Sequence, residues 1–388
     1  MRLTMALCLS ASLGLAGCSS VKDTVTPDKP AAPVELASNI VDKASAVKVD
    51  TVVTADASHG QLTGASLYFG DDPAKNVVKG SITGGRWVAS QLLEPGKTYH
   101  LEVKGLNEDG KSATSTRTFS TQALTLKQQV YPSVAPLKGE TVGVGMPIIV
   151  KFDLPVHNRA VFERKMRVES SKDVEGSWSW ISDYEVHYRP KDYWPAGAKV
   201  KVILDVNSLP AGGGVYGQQN QNVDFTIGRS VVSTVNVSTH KLTVDIDGKV
   251  ARVIPVTTGD AGHQTREGTK VIMEKFSSVD MDAASTGVDS TDPGYYNIKD
   301  VRWAMRLTNS GEFLHAAPWS VGSQGVANVS HGCTGMSTAN AAWLYSQSKR
   351  GDVVKYTGST RPMEQGNGYS DWNVSWNDWV KRSALQAS

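Results

Sequence analysis

The sequence predicts a mainly β protein: two tandem immunoglobulin-like β-sandwiches, a β-rich third domain with one or two short helices, and a C-terminal flap. Short alternating runs between glycine, aspartate and asparagine turns fill the first part of the chain. Such runs are typical of small sandwiches. The same style recurs in the next hundred or so residues, and a hairpin signature opens the third unit. Together these observations indicate an all-β architecture in several domains.

The N-terminal segment is expected to be processed and lipid-anchored. After Arg2, residues 3–20 carry no charge and are too few for a permanent membrane span, which indicates a signal peptide over residues 1–17. Leu15-Ala16-Gly17-Cys18 matches a bacterial lipobox, so we predict diacylation of Cys18 and an exported protein on the outer face of the plasma membrane. The polar, proline-containing residues 18–33 read as a tether. An ordinary signal peptide that contains a cysteine is the alternative.

The two sandwiches are expected at residues 34–122 and 123–228. Tyr99-His100-Leu101-Glu102-Val103 alternates apolar and polar residues, as a half-buried strand does. Neither domain contains a cysteine, so each must be held by its apolar core. For the second core we expect Trp178, Trp180 and Trp194 to provide the bulk, the alternative being that they line a sugar-binding groove.

The third domain is expected at residues 229–357. Lys241 to Ile246, the Asp247-Gly248 turn and Val250 to Val256 form the hairpin signature. A helix should follow Ser337, its N-cap, and stop at Gly351 before a closing strand. Residues 358–388 are expected to form a flap packed back on the body, with three tryptophans on one face of a short helix: Trp372, Trp376 and Trp379.

Charge and cysteine content narrow the function. The net charge is +2 with acids and bases interspersed, which makes nucleic acid an unsuitable partner. Cys8 leaves with the signal peptide and lipidation consumes Cys18, so Cys333 remains as a single free thiol. In an exported protein such a thiol requires a reason, because exported cysteines tend to be paired or oxidised. It is either a nucleophile or a small buried hydrophobic residue.

The segment around Cys333 favours the nucleophile. His315-Ala316-Ala317-Pro318-Trp319 is followed by a glycine-rich loop and then by Ser330-His331-Gly332-Cys333. Cysteine attacks as the thiolate, and an imidazole nearby can lower the thiol pKa and accept its proton. Gly332, without a Cβ, lets backbone amides turn toward an oxyanion.

These residues resemble the signature of the L,D-transpeptidases, in which a histidine precedes Ser-His-Gly-Cys by a short loop. His315 lies eighteen residues before Cys333, and Ala317-Pro318-Trp319 resembles the linking segment of actinobacterial members. The resemblance extends over essentially the whole mature chain. It implies that Cys333 is the nucleophile, that His315 is its base, and that the carbonyl of Ala316 orients the imidazole. It also implies an oxyanion hole framed by His331, Gly332 and Cys333, with His331 as an organiser rather than a second base.

The substrate-binding positions that the resemblance implies are Ala316, Trp319, Ser330, Thr286 and Gly335. Three positions depart from the family pattern. Thr286 stands where relatives place a lid tyrosine, and Gly335 stands where Asn or Arg is usual. Both changes predict a wider and wetter pocket. Arg266 replaces a usual proline, and we expect no catalytic consequence from it.

The reaction that the resemblance implies is acyl transfer between peptidoglycan stems. Cys333 attacks the carbonyl between diaminopimelate and D-alanine of a tetrapeptide stem, and D-alanine leaves. The side-chain amine of diaminopimelate on a neighbouring stem then attacks the thioester. Carbapenem-type β-lactams are the implied covalent inhibitors. No cofactor or metal is expected, because the histidines lack a ligand spacing.

Two other classes remain open at this point. A sortase also uses an exported histidine and cysteine in this order, but it pairs them with an arginine on the next strand, and here the next arginine is Arg350, beyond a helix. A cell-wall cysteine peptidase usually places its cysteine first. The non-enzymatic alternative is an immunoglobulin-like cell-surface binding lipoprotein in which Cys333 is inert.

Overall fold

A computed structural model describes residues 30–292 and 295–386. The signal peptide, Cys18 and residues 18–29 of the tether lie outside the described residues. The described part is mainly β, so the predicted fold class is confirmed. The domain boundaries at residues 122, 228 and 357 stay predictions.

The first domain is a sandwich of two four-stranded antiparallel sheets, ordered β1-β2-β6-β5 and β4-β3-β7-β8. Along β7, Tyr99, Leu101 and Val103 are buried between more exposed neighbours, as the alternating sequence predicts. The strands are β1 Glu35–Ser38, β2 Thr54–Ser58, β3 Gln61–Phe69, β4 Val77–Val78, β5 Gly80–Thr83, β6 Arg86–Ala89, β7 Thr98–Leu106 and β8 Ser112–Ser120.

The second domain is a larger sandwich. Its sheets are β10-β12-β15-β14, β11-β19-β16-β13 and a small β17-β18-β9 sheet. Its elements are β9 Gln129–Val130, β10 Pro132–Ala135, β11 Thr141–Val142, β12 Ile148–Phe152, α1 Arg159–Glu163, β13 Met166–Ser170, β14 Gly176–Ser182, β15 Glu185–Pro190, β16 Lys199–Leu204, β17 Pro210–Gly212, β18 Val215–Gly217 and β19 Gln221–Ile227, with a 3-10 turn at Leu126–Gln128.

The three tryptophans of this domain lie in its core, not along a groove. Trp178, Trp180 and Trp194 are all buried in one cluster. Each indole N–H also donates a hydrogen bond, for example from Trp194 Nε1 to the Met146 carbonyl at 2.8 Å. A buried indole needs such a partner to avoid a desolvation cost. The core-packing prediction is therefore confirmed.

The third domain packs a five-stranded sheet, β22-β21-β20-β28-β23, and a four-stranded sheet, β24-β25-β26-β27, around one core. Its elements are β20 Val231–Asn236, β21 Lys241–Ile246, β22 Lys249–Pro255, β23 Gly268–Val271, β24 Glu274–Asp282, β25 Asn297–Arg306, β26 Phe313–Ala316, β27 Thr334–Met336, α2 Thr338–Gln347 and β28 Val353–Thr357, with 3-10 turns at Ala283–Thr286 and Pro318–Ser320.

The predicted hairpin and helix N-cap of this domain are confirmed, but the helix ends at Gln347 with Ser348 as its C-cap, so the predicted stop at Gly351 is wrong. The Asp247-Gly248 turn joins β21 to β22, whose antiparallel pairing has an irregularity between Val244 and Asp245. Ser337 caps α2, since its side chain accepts a hydrogen bond from the Asn340 amide. The closing strand β28 pairs in parallel with β20, so the first and last strands of the domain are neighbours. The segment that carries Cys333 therefore lies, in sequence, between two strands that pair with each other.

The C-terminal segment, residues 358–386, packs on the second sandwich. It contains a 3-10 turn, Asp371–Asn373, and the helix α3, Trp376–Val380. The Arg189 guanidinium lies 4.8, 5.4 and 4.7 Å from the ring centroids of Trp372, Trp376 and Trp379, a favourable cation–π geometry. The flap prediction holds in outline, but Trp372 belongs to the separate turn and not to the helix, because Ser375 caps α3 after it.

Candidate active site

A cavity of about 210 Å³ lies against the four-stranded sheet of the third domain and the loops beside it. It brings together Cys333, His315 and most of the side chains that the sequence singled out. Its walls are formed by Thr257, Met281, Tyr296, Ile298, His315, Ala317, Trp319, Ser320, Val329, Ser330, His331, Cys333 and Gly335. Ala316 lies just behind this wall and is buried.

Strand register places the thiol and the imidazole side by side. Strand β26 runs parallel to β27, and His315 lies opposite Gly335. Cys333 precedes Gly335 by two residues. Because alternate residues of a strand face the same side, Cys333 and Gly335 share a face. The sulfur and the His315 ring are thus diagonal neighbours in one cavity.

The His315 imidazole has a defined tautomer. Its Nδ1 lies 2.8 Å from the Ala316 carbonyl oxygen, and since a carbonyl can only accept, Nδ1 carries the proton. Nε2 is then free to accept one. Burial lowers the pKa of His315, opposed by this hydrogen bond. The Trp319 ring stacks on the imidazole at 5.8 Å between centroids and is itself more than half exposed. The geometry suits a neutral base.

The Cys333 thiol is largely buried. It is 8% exposed and donates to the Gly311 carbonyl at 3.4 Å. Burial, aided by the negative charge of Glu312, raises the pKa of this thiol to about 12; a backbone hydrogen bond from Phe313 and the positive charges of Lys270 and Arg306 oppose the rise. The sequence argument, that an imidazole lowers the thiol pKa, is outweighed here by desolvation. The resting site therefore holds a neutral thiol beside a neutral imidazole.

The turn before Cys333 is held by the Ser330 hydroxyl. It donates to the Cys333 carbonyl at 2.6 Å and accepts from the Gly332 amide at 3.1 Å. Gly332 has φ +119°, a conformation that other residues rarely adopt. The expectation that the Gly332 amide faces an oxyanion is wrong for this geometry, because Ser330 already occupies it. The amides of His331 and Cys333 remain as candidates for that role.

Aromatic rings flank His331 at the mouth of the cavity. Its ring centroid lies 4.5 Å from that of His263 and 5.1 Å from that of Tyr296. Burial raises the pKa of Tyr296 to about 12, so its hydroxyl stays neutral. Sequence reasoning missed Tyr296 as a wall residue. Its only signal was a pair of tyrosines directly before β25.

The two departures from the family pattern have different outcomes. A Cβ on Gly335 would lie 2.8 Å from the Ala317 Cβ and 3.2 Å from Thr257 Cγ2. Ala317 and Thr257 therefore occupy the space next to Gly335, and the expected widening at this position is wrong. Thr286 ends the 3-10 turn after β24, and its side chain lies outside the described part of the structure.

A buried ionic cluster lies directly behind the nucleophile. Lys270 and Arg266 both pair with the Glu312 carboxylate, Arg266 Nη1 at 3.1 Å, and Arg266 also pairs with Glu364 of the C-terminal segment. Arg266 is only 8% exposed. Arg266 therefore has a structural role that the sequence did not predict, since it bridges two carboxylates. The sequence carried no local signal for this, because the partners are far apart in the chain.

Among residues 30–292 and 295–386, no helix has the length and apolarity needed to cross a membrane. Within the same described ranges, no group of three or more His, Cys, Asp or Glu side chains is arranged to hold a metal ion.

Comparisons with known families match the domain order. A model described as a bacterial Ig domain matches residues 44–209, and a model described as an L,D-transpeptidase catalytic domain matches residues 230–355. The latter range contains the whole cavity. The class of protein is therefore an acyl-transferring enzyme whose catalytic domain follows immunoglobulin-like domains.

Full-length relatives identify the family. The chain is 32% identical over 390 residues to L,D-transpeptidase 2 of Mycobacterium tuberculosis (strain CDC 1551 / Oshkosh), covering 97% of this chain and 94% of that protein. It is 36% identical to L,D-transpeptidase 5 of strain ATCC 25618 / H37Rv, covering 80% and 69%. The solved structure of the LD transpeptidase LdtMt1 in complex with imipenem is 33% identical with a TM-score of 0.52, covering 59% of this chain and 99% of that one. This chain belongs to the L,D-transpeptidase family and is an L,D-transpeptidase.

Proposed function

We propose that this enzyme joins the third residues of adjacent peptidoglycan stems through a thioester on Cys333. The observation that carries the proposal is the shared cavity, in which the Cys333 thiol and the unprotonated Nε2 of His315 face the same space. In the first half-reaction the proton passes from sulfur to Nε2 while sulfur attacks the carbonyl between diaminopimelate and D-alanine. D-Alanine leaves with that proton.

The second half-reaction regenerates the thiol. The side-chain amine of diaminopimelate on a neighbouring stem attacks the thioester carbonyl, His315 takes the amine proton, and the sulfur leaves and is reprotonated. The amides of His331 and Cys333 are the proposed donors to the oxyanion in both halves. Trp319, exposed beside His315, is proposed to contact the donor stem, and Ser330 to hold the turn.

Two properties of the whole protein belong to the same proposal. Cys18 is proposed to carry the lipid that holds the enzyme on the outer face of the membrane, so Cys18→Ala should move the protein from the membrane fraction to the soluble fraction. Carbapenems are proposed to acylate Cys333, supported by the relative solved with imipenem. Their strained carbonyl is the same kind of electrophile as the stem peptide.

The test uses purified protein and disaccharide tetrapeptides. Mass spectrometry should detect dimers that lack one D-alanine, together with free D-alanine. Cys333→Ala should abolish both products, and His315→Ala should slow them by about a thousandfold or more, as loss of a base in a concerted pair does. Retained turnover in Cys333→Ala, with imipenem still adding mass to the protein, would show that the nucleophile is another residue.

A further inference from the structure

Lys270 on β23 is a fully buried lysine that the reaction described above does not use. Its side chain is 0% exposed. Lysine is almost never fully buried unless its charge is paired. Lys270 lies on β23, the strand next to β28. The burial of its charge there needs a physical explanation.

Two groups hold the Lys270 ammonium. It pairs with the Glu312 carboxylate and lies 3.7 Å from the centroid of the Tyr356 ring. The same carboxylate accepts from Arg266 Nη1 at 3.1 Å. The Tyr356 hydroxyl, in turn, lies 2.7 Å from the hydroxyl of Thr334, the residue after Cys333. The ammonium is thus connected through Tyr356 to Thr334, the residue that follows Cys333.

The residues around Glu312 are the ones that contact the sulfur. Gly311 accepts the thiol hydrogen bond, and the Phe313 backbone also hydrogen-bonds the sulfur. Glu312 lies between them in sequence, and its own amide donates to the Thr308 hydroxyl at 2.9 Å. The charged and titratable groups that face Cys333 are Lys270, Glu312, Arg306, Tyr296, Tyr356, His315 and His331.

Stability alone does not account for the pair. Replacing a buried ion pair by apolar side chains of similar volume is often neutral or stabilising, because desolvation offsets the Coulomb attraction. Burial lowers the pKa of Lys270 to about 8, with Glu312 opposing the shift. The ammonium therefore keeps its charge at neutral pH, where it opposes the effect of burial on the Cys333 thiol.

We propose that Lys270 is a positioning residue for thioester formation: held by Glu312 and Tyr356, its ammonium presents a positive charge to the Cys333 sulfur as the S–H bond breaks. The proton passes to His315 and the sulfur lone pair forms the new bond, while Lys270 keeps its own proton. The inference rests on the proposed role of Cys333. It adds a positive charge that stabilises the developing negative charge on the Cys333 sulfur. The neutral His315 imidazole accepts the proton but does not supply that charge.

The test measures alkylation of Cys333 by iodoacetamide between pH 6 and pH 10, followed by intact mass, with thermal unfolding to verify the fold. This readout needs no peptidoglycan, so its outcome is independent of the proposed cross-linking. Lys270→Met should slow alkylation about tenfold between pH 6 and pH 7, where Lys270 is charged, because the Glu312 charge then faces the sulfur without its partner. The difference should shrink as pH rises through about 8, where Lys270 loses its proton. Lys104→Met, which breaks an exposed ion pair with Glu102 in the first domain, is the control and should not change the rate.

The double variant Lys270→Met/Glu312→Gln separates charge from packing. With both charges removed, its rate should exceed that of Lys270→Met but stay below that of Glu312→Gln, which retains the lysine. A double variant as fast as Glu312→Gln, or a Lys270→Met variant as fast as the control, overturns the proposal. If Lys270→Met does not fold, the comparison is between Glu312→Gln, which retains the lysine, and the double variant. Glu312→Gln must then react faster, and equal rates overturn the proposal equally.

Discussion

At the scale of single residues, the environment of the reacting pair differs from that of an exposed thiolate. Cys333 and His315 are both buried, and burial raises the pKa of the thiol while it lowers that of the imidazole. Each shift disfavours the charged form. The free enzyme therefore rests as thiol and neutral imidazole, and ionisation accompanies attack on the substrate carbonyl.

This resting state predicts a specific pH dependence. Acylation of Cys333 by imipenem should fall on the acid side only below about pH 6.5, because protonation of His315, whose pKa is lowered, removes the base. Alkylation by iodoacetamide should rise continuously from pH 6 to pH 10, because the thiol pKa is about 12. Stopped-flow and intact-mass kinetics measure both. A pH-independent plateau of alkylation across this range would instead indicate a preformed ion pair.

Tyr296 changes the prediction made for the lid position. Thr286 lacks an aromatic ring, but Tyr296 lines the cavity, and its ring contacts that of His331 at an angle of 42°. We expect Tyr296→Ala to admit water and to raise the ratio of hydrolysed to cross-linked product several-fold. Thr286→Tyr should lower the same ratio. Tyr184→Ala, an exposed tyrosine of the second domain, is the control. Unchanged product partition in Tyr296→Ala would remove Tyr296 from the site.

At the scale of elements, the pairing of β26 with β27 decides the geometry of the site. The two strands are short, and the backbone of Thr257 extends the arrangement through hydrogen bonds of 3.0 and 2.9 Å with Gly335. Close packing of Ala317 over Gly335 lets these backbones approach. The wall of the cavity at Gly335 is therefore closely packed and has no room for a larger side chain.

Two glycines of this domain provide a matched test of that packing. Gly335→Ala would place a Cβ 2.8 Å from the Ala317 Cβ, and we expect a loss of about 1–3 kcal/mol in the free energy of unfolding. Gly322→Ala meets no atom within 4 Å and should change it little. Urea unfolding, with the imipenem acylation rate alongside, distinguishes them. Equal stability of the two variants would mean that the strands separate easily at this point.

Elements specified by neighbouring residues were predictable, and contacts across the sheets were not. The β21–β22 turn and the Ser337 cap depend on a few adjacent residues, so the sequence alone predicts them. The motif around Cys333 likewise lies within twenty residues. Tyr296 and Lys270 reach the site from β25 and β23, so their roles depend on strand register and sheet order. Nothing local in the sequence specifies either.

At the scale of the whole molecule, the C-terminal segment joins the second sandwich to the catalytic domain. Asp371 lies 2.9 Å from Nδ1 of His187, and Glu185 lies 2.8 Å from its Nε2. Glu163 accepts from the Ser383 hydroxyl and from the Ala384 amide at 2.8 Å. From the catalytic side, Arg350 pairs with Glu140 of the second sandwich at 2.6 Å. The two domains are therefore held by buried polar contacts as well as by the tryptophans.

The His187 contacts predict that this junction weakens in alkali. Burial lowers the pKa of His187, but Asp371 and Glu185 outweigh it and raise it to about 9. A raised pKa means that the stabilisation is fully present below about pH 6.5 and is lost as pH rises through 9, by at most about 3 kcal/mol. Thermal unfolding at pH 6.5 and pH 9.5 should show a larger loss in the unmodified protein than in His187→Gln.

The exposed His157, beside Asp183, gives the control for this measurement. His157→Gln should retain the full pH dependence of the unmodified protein. If His187→Gln retains it too, the alkaline loss arises elsewhere and the ion pairs at the junction are not its cause.

The packing of Trp372, Trp376 and Trp379 around Arg189 also constrains the order in which the protein folds during synthesis. Domains generally fold from the N-terminus as the chain emerges. The three rings that enclose Arg189 lie at positions 372, 376 and 379, and Glu163, which also accepts from Trp180 within the sandwich, gains two further donors at 383 and 384. The residues of both sandwiches are therefore synthesised well before these C-terminal partners. A chain cut before residue 372 leaves Arg189 without these three rings but keeps the Arg350–Glu140 pair, so the C-terminal segment completes a junction that the catalytic domain has already begun.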